Sequence, residues 1–300
     1  MSDMIDLQIR LTEFEAHLKK LDRSPHSIRA YLSDLRLFAQ WFEAKTGERF
    51  GITNVFDEEV KAWRKEMEGK QKASTVNRRL AALSTFFAWA IEKKYTVDDP
   101  THNIHGLGQQ VIAPKALSEQ AVNKIIRKAR VSGNLRDHAL LNFLAATGLR
   151  AAEVAAVKCG DVQIGERSGW VTVRSGKGRK QRRVPIHAKA RDALQAFLES
   201  EGRKEISEHA VEPLFKTRDG DAMTPYAIWY TVKKYAAQAG IEKVSPHTFR
   251  HTLATRLVRN PNVDIVTAAT FLGHSRLDTT ARYSRPSDED LEKAAEEISR

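Results

Sequence analysis

Cysteine is almost missing from this 300-residue chain: Cys159 is the only one, so no internal disulfide can form. In its Val-Lys-Cys-Gly setting the thiol has no base beside it, which reads as a packed or partly exposed side chain rather than a nucleophile. Long apolar runs are missing as well. The longest uncharged one, residues 139–149, is too short to span a bilayer, and residues 1–20 alternate charged and apolar positions with no leader-like block. A globular protein of the cytoplasm is expected. A nucleotide-binding phosphate loop is also lacking. Around Lys177, Val171 stands where the first glycine of a Walker loop belongs and Gly178 where Ser or Thr belongs. His247 and His251 are spaced like zinc ligands, but no glutamate follows His247 and no cysteine lies near. No metal or other cofactor is therefore expected.

Positive charge is abundant. The net charge is +11 and the sequence pI near 9.7, which favours a polyanionic partner, because each phosphate contact by Lys or Arg releases condensed counterions. Residues 1–108 carry 17 basic against 16 acidic side chains, residues 109–286 carry 30 against 16, and residues 287–300 carry 2 against 6. Within the near-neutral first segment, residues 60–97 hold 9 basic and 3 acidic side chains. Two basic regions flanked by neutral or acidic stretches suggest a clamp around double-stranded DNA.

The spacing predicts a mainly α protein with a small β-sheet (α+β). Residues 1–108 form a helical DNA-binding domain, 109–116 a linker within the aperiodic stretch that holds Pro100, Gly106, Gly108 and Pro114, 117–286 a mixed α/β domain expected to be catalytic, and 287–300 a C-terminal helix. In the first domain Leu7, Leu11, Phe14 and Leu18 recur at helical spacing. Ser24-Pro25 then supplies a cap and a first-turn proline for a second helix. A third helix is expected over residues 58–67, and a fourth from Thr75 to Lys94 with Ser74 as its cap. The start of that fourth helix offers Lys72, Thr75, Asn77, Arg78 and Arg79 to DNA, by phosphate contact or base reading.

Beyond the linker, a helical pattern runs from Ser118 to the apolar stretch ending at Thr147-Gly148-Leu149-Arg150, with Glu153 one turn later. An arginine there is either a surface residue held by Glu153 or a functional cation, and the carboxylate serves both. Two strands, residues 170–174 and 183–186, alternate in polarity and flank a basic hairpin tip. Lys177 lies on that tip, as an exposed turn lysine or as a mobile proton donor, and Arg179, Lys180 and Arg182 are DNA-contact candidates. Helices follow over residues 188–199 and 225–239; the aromatics of the second, Tyr226, Trp229, Tyr230 and Tyr235, are expected in the core. A further helix opens at Ser245-Pro246 and places His247 and Arg250 on one face. The apolar helix over residues 263–272 stops at Gly273 and leaves His274 at its end. Of the six tyrosines, Tyr283 is the one bracketed by arginines, in a polar segment with little to bury. Alone it reads as a half-buried surface tyrosine.

Taken together, Arg150, Lys177, His247 with Arg250, His274 and Tyr283 resemble the ordered signature of the tyrosine recombinase (phage-integrase-like, Xer-like) family. The resemblance extends over nearly the whole chain, with the first domain similar to that family's core-binding domain. It implies site-specific strand exchange through a 3′-phosphotyrosyl intermediate and a Holliday junction, without metal or nucleotide. Tyr283 would attack phosphorus, Arg150 and Arg250 would hold the charge, and His274 would donate a hydrogen bond. Lys177 would protonate the leaving oxygen, and His247 would assist removal of the phenolic proton. The resemblance further implies a tetramer assembled on DNA, with the C-terminal helix docked on a neighbouring protomer; folding back onto its own subunit is the other option. The family's chromosome-dimer resolvases usually carry a His-Pro-Arg segment near the end, which Ser-Arg-Pro-Ser-Asp-Glu-Asp here does not match. Mobile-element integration or resolution is therefore as open as dimer resolution. Relaxation of supercoils in the manner of a type IB topoisomerase, and DNA binding without catalysis, are the competing functions.

Overall fold

The computed structural model describes residues 2–108, 116–174, 181–274, 276–281, 283, 284, 292, 295, 296 and 298. Lys177, Arg179 and Lys180, most of the 109–116 linker and most of the 287–300 tail lie outside them. The chain divides into two compact units, Met1–Gln110 and Val111–Arg300.

The first unit is built from α1 (Ser2–Lys20), α2 (Pro25–Thr46), α3 (Asp57–Met67) and α4 (Ala73–Glu92). Helix α2 begins as the sequence suggests: the Ser24 hydroxyl accepts the Ser27 N–H and Pro25 occupies the first turn. Helix α4 differs. It starts at Ala73 with Lys72 at the cap position and no side-chain cap, so Ser74 lies inside the helix and caps nothing. The core is aromatic, with Phe14, Phe38, Phe42, Phe86, Phe87 and Trp89 fully buried. Phe38 packs edge-on against Trp63 at 4.9 Å and Phe14 edge-on against Phe86 at 5.3 Å. Each such ring contributes about 1.5–3 kcal/mol by leaving water, enough for four helices to hold one another.

In the second unit the expected single helical stretch is two helices, α5 (Glu119–Val131) and α6 (Leu135–Thr147). Asn134 breaks it, because its side chain accepts the Asp137 N–H and caps α6. Helix α6 is buried on nearly every side and forms the centre of the unit. After α7 (Ala151–Ala156) come β1 (Val162–Ile164), β2 (Gly169–Val173) and β3 (Arg182–Pro185), an antiparallel sheet in the order β1-β2-β3. Val171 pairs with Val162 on one side and Val184 on the other, and all three side chains are buried. Strand β1 was not foreseen, since three residues are too few to display alternation. The sheet is followed by α8 (Ala188–Ser200), α9 (Pro225–Gln238), α10 (Pro246–Arg259), α11 (Ile265–Leu272) and α12 (Leu277–Ala281).

One expectation about α9 fails. Tyr235 is buried, but Tyr226, Trp229 and Tyr230 are exposed. They lie along the helix face opposite Ile228, Val232 and Tyr235, which fill the core, so period rather than residue type decided their side. Cys159 is a buried thiol whose burial pushes its pKa up, in line with a packing role. Among the described residues no helix is long and apolar enough to cross a membrane.

Candidate active site

Helix α6 ends at Gly148, in the left-handed conformation (φ +59°), and a Cβ there would stand 2.9 Å from Leu253. The turn delivers Arg150 to the cap position of α7. Glu153, 7% exposed, reaches back one turn. One carboxylate oxygen accepts the Arg150 backbone N–H at 2.8 Å and the other its guanidinium at 3.1 Å. The same carboxylate receives both Nη atoms of Arg182 at 2.9 Å, the paired fork geometry that suits guanidinium and carboxylate. Burial pushes the Glu153 carboxyl up, but the Arg182 hydrogen bonds, the Arg150 N–H and the two positive charges outweigh it and hold it below the ordinary range.

Arg182 is therefore not the DNA-facing residue expected from the hairpin. Its side chain is 12% exposed and runs beneath Gly273, where a Cβ would lie 2.8 Å from its Cδ, Nε and Cζ atoms. Its role is to clamp Glu153, which in turn fixes Arg150.

Helix α10 is capped by Ser245 and opens with Pro246. Arg250, one turn along, is 1% exposed and donates to the carbonyls of Gly148 at 2.8 Å and Leu272 at 2.6 Å, which end α6 and α11. Burial first, then the charge of Arg150, pulls its pKa down to about 10, so it stays cationic at neutral pH. His247 is exposed at the helix start. Partial desolvation, then the charges of Arg250 and Arg150, lowers its pKa and so favours the uncharged imidazole.

Helix α11 ends at Gly273 in the left-handed conformation (φ +66°). His274 follows, with Nδ1 2.8 Å from the hydroxyl of the fully buried Thr280. Its ring lies nearly parallel to that of Tyr283, with centroids 6.3 Å apart. Tyr283 is buried at 5% exposure, packed with Ala254, Leu257, Val258 and Leu272. The polar neighbours of Tyr283 in sequence gave no sign of this; its seat is supplied by the apolar side of α10. Its hydroxyl lies 2.7 Å from Nδ1 of His251, and the His251 ring meets that of His247 edge-on at 4.1 Å.

Sequence reasoning weighed His251 only as a zinc ligand and gave the phenol to His247. The signal was available in the spacing, since residue 251 is one turn beyond 247 on the same helix face. Thus Arg150, Glu153, His247, Arg250, His274 and Tyr283 converge in one subunit, joined by His251 and Arg182. Among the described residues no group of three or more His, Cys, Asp or Glu side chains is placed to hold a metal ion.

In the first unit the expected DNA contacts separate. Asn77 spends its amide on both backbone groups of Leu107, at 2.9 and 2.7 Å, and so ties down the segment leaving this unit instead of reading a base. Arg79 turns inward, 3.7 Å from Asp34 and 3.3 Å from the Met67 sulfur, and is also withdrawn from a groove. Arg78 is largely exposed but ion-paired with Asp34, while Lys72 is exposed and Thr75 partly so. Asp34 is 2% exposed, and its burial raises the carboxyl above its ordinary value despite both arginines.

Comparison with known proteins agrees with this architecture. Residues 115–290 match the phage integrase family and residues 11–94 the phage integrase N-terminal SAM-like domain. The chain is 35% identical to the tyrosine recombinase XerD of Ralstonia nicotianae, over 89% of this chain and 85% of that one. It is 31% identical to the tyrosine recombinase XerC of Herpetosiphon aurantiacus, over 94% and 92%. Among solved structures, the XerH site-specific recombinase bound to palindromic difH substrate, in its post-cleavage complex, aligns with TM-score 0.75 at 22% identity over 94% of this chain and 84% of that chain. The lambda integrase tetramer bound to a Holliday junction aligns with TM-score 0.67 at 16% identity, over 90% and 77%. These two likenesses concern the fold.

Proposed function

Because this chain belongs to the phage integrase family and is a tyrosine recombinase, a DNA breaking and rejoining enzyme, we propose that Tyr283 is its nucleophile and that Arg150, Lys177, His247, Arg250 and His274 complete the site. The observation that carries the assignment is the seat of Tyr283: its phenol is docked in its own subunit on the helix that bears His247 and Arg250, with the His274 ring beside it.

The Tyr283 oxygen attacks phosphorus, the bond to the 5′ oxygen breaks, and a 3′-phosphotyrosyl ester remains. Arg150 and Arg250 hold the charge that grows on the non-bridging oxygens, where fixed cations act most strongly. Glu153, itself clamped by Arg182, keeps Arg150 from swinging away. His274 donates to the phosphate, the phenolic proton passes to an imidazole on α10, and Lys177 supplies the proton that the leaving oxygen takes. The ester conserves the bond energy, so a 5′ hydroxyl from a second duplex reverses the step with no outside energy source.

The similarity to XerD and XerC proteins over most of each chain favours a role in resolving two copies of a palindromic site over integration. The fold shared with a tetramer on a Holliday junction supports four protomers on two duplexes, with the C-terminal segment reaching a neighbour. Arg78 and Lys72 supply phosphate contacts from the first unit, with Arg179 and Lys180 from the hairpin. The enzyme is assigned to the cytoplasm, where it would meet its DNA substrate.

The test uses a nicked suicide duplex carrying the palindromic repeats that flank the encoding gene. A covalent protein–DNA adduct is expected, and Tyr283→Phe is expected to abolish it while leaving DNA binding intact. An undiminished adduct in that variant overturns the assignment. Relaxation of plasmids without such repeats would instead favour topoisomerase-like action.

A further inference from the structure

We propose that His251, not His247, is the group that takes the proton from Tyr283. The inference rests on Tyr283 being the nucleophile. The hydroxyl and Nδ1 of His251 are 2.7 Å apart, the separation of a good hydrogen bond to the atom that reacts. The two rings are held from both sides: Tyr283 by Ala254, Leu257 and Val258, the next turns of the same helix, and His251 by the edge-on ring of His247. The contact joins the turn after α12 to the middle of α10, and it is present before any substrate arrives. His247, exposed at the helix start and next in the chain of rings, is left free to face the phosphate.

A free phenol ionises near pH 10 and a free imidazole near 6.5, so the transfer is costly unless it accompanies another bond change. The proton crosses as the bond from the Tyr283 oxygen to phosphorus forms. The phenolic proton goes to Nδ1 of His251, the bond from phosphorus to the 5′ oxygen breaks, and the proton on that oxygen comes from Lys177. In rejoining, the incoming 5′ hydroxyl returns its proton to Lys177 as its oxygen bonds to phosphorus, the bond from phosphorus to the Tyr283 oxygen breaks, and that oxygen takes back the proton stored on His251.

The measurement is the single-turnover rate of adduct formation on the nicked suicide duplex, beside DNA affinity. His251→Ala is expected to slow the adduct about 100-fold, the lower end of what a positioned base supplies, with affinity unchanged. His251→Gln keeps a hydrogen-bonding group near the phenol but cannot take the proton, so it is expected to be equally slow; if glutamine restores the rate, His251 only seats the ring and the proposal falls. Replacing Tyr283 by a more acidic fluorinated tyrosine is expected to shrink the His251 deficit, because less help with the proton is then needed. Should His251→Ala fail to fold, the glutamine variant and the fluorinated tyrosine decide the matter. An adduct undiminished in His251→Ala but absent in Tyr283→Phe overturns this inference alone, whereas an adduct that survives Tyr283→Phe overturns the nucleophile as well.

Discussion

Each half of the chain buries one carboxylate between two arginines, and the two behave in opposite ways. Asp34 in the first unit has one hydrogen-bonded partner, Arg78, and a second arginine 3.7 Å away; its carboxyl is raised. Glu153 in the second unit receives a backbone N–H, one guanidinium contact and a complete guanidinium fork; its carboxyl is lowered. Burial is similar, so the number and fixity of donors decides which buried charge is sustained. Where an arginine must be aimed at a substrate, the donor set around its carboxylate is full.

The sharpest way to break this contrast is to remove each carboxylate in turn. Glu153→Ala strands a buried Arg182 and releases Arg150, and is expected to cost about 3–5 kcal/mol of stability together with adduct formation. Asp34→Asn, replacing a charge that burial already opposes, is expected to cost about 1 kcal/mol or less. Denaturant titration with hydrogen exchange read separately in the two units checks both, and equal losses would end the distinction.

A smaller effect is expected one step away, at Gly273. Alanine there puts a methyl group against Arg182 in a left-handed backbone position, and overpacking of this kind costs about 1–3 kcal/mol. Because the displaced side chain is the Glu153 clamp, the adduct rate should fall with the melting temperature. If stability falls but the adduct rate does not, the clamp does not orient Arg150. In the first unit Asn77→Ala is expected to leave two Leu107 backbone groups without their partner, at about 1–3 kcal/mol. Hydrogen exchange should localise that loss to residues 104–107, with catalysis on a nicked half-site unchanged.

The smallest test is titration. The lowered Glu153 contributes stability that is complete above the ordinary carboxylate range and is lost as pH falls through its depressed value. Asp34 has the reverse sign: with its folded value raised, acid below neutrality favours the first unit until the unfolded carboxyl near 3.8 also takes a proton. Carboxyl-carbon NMR of the two side chains should show Asp34 titrating well before Glu153; the opposite order would refute the donor-count argument.

Much of the site was readable because its chemistry dictates residue type and order. The Gly148 turn, the Glu153 brace on Arg150, and His247 with Arg250 on one helix follow from local spacing. What could not be read depends on contacts far apart in the chain. The place of Arg182 under Gly273 joins positions 91 residues apart, and the attachment of Asn77 to Leu107 spans 30. The seat of Tyr283 is made by α10, so its polar sequence neighbours misled. Tyr226, Trp229 and Tyr230 were assigned to the core by residue type, although the helical period that buries Ile228, Val232 and Tyr235 turns them outward.

The buried guanidinium of Arg250 bonds to the carbonyls that finish two separate helices, so it acts as a keystone as well as a reagent. Two negative helix ends lean on it, and a lysine, with one small ammonium group, would not span both. Evolution therefore has little latitude at this position: a change that altered the affinity for phosphate would also unlatch α6 from α11. Loss of recombination after substitution at residue 250 would report a collapsed scaffold as readily as a missing charge, whereas position 251, at the rim of the same cluster, can be varied while the arch stands.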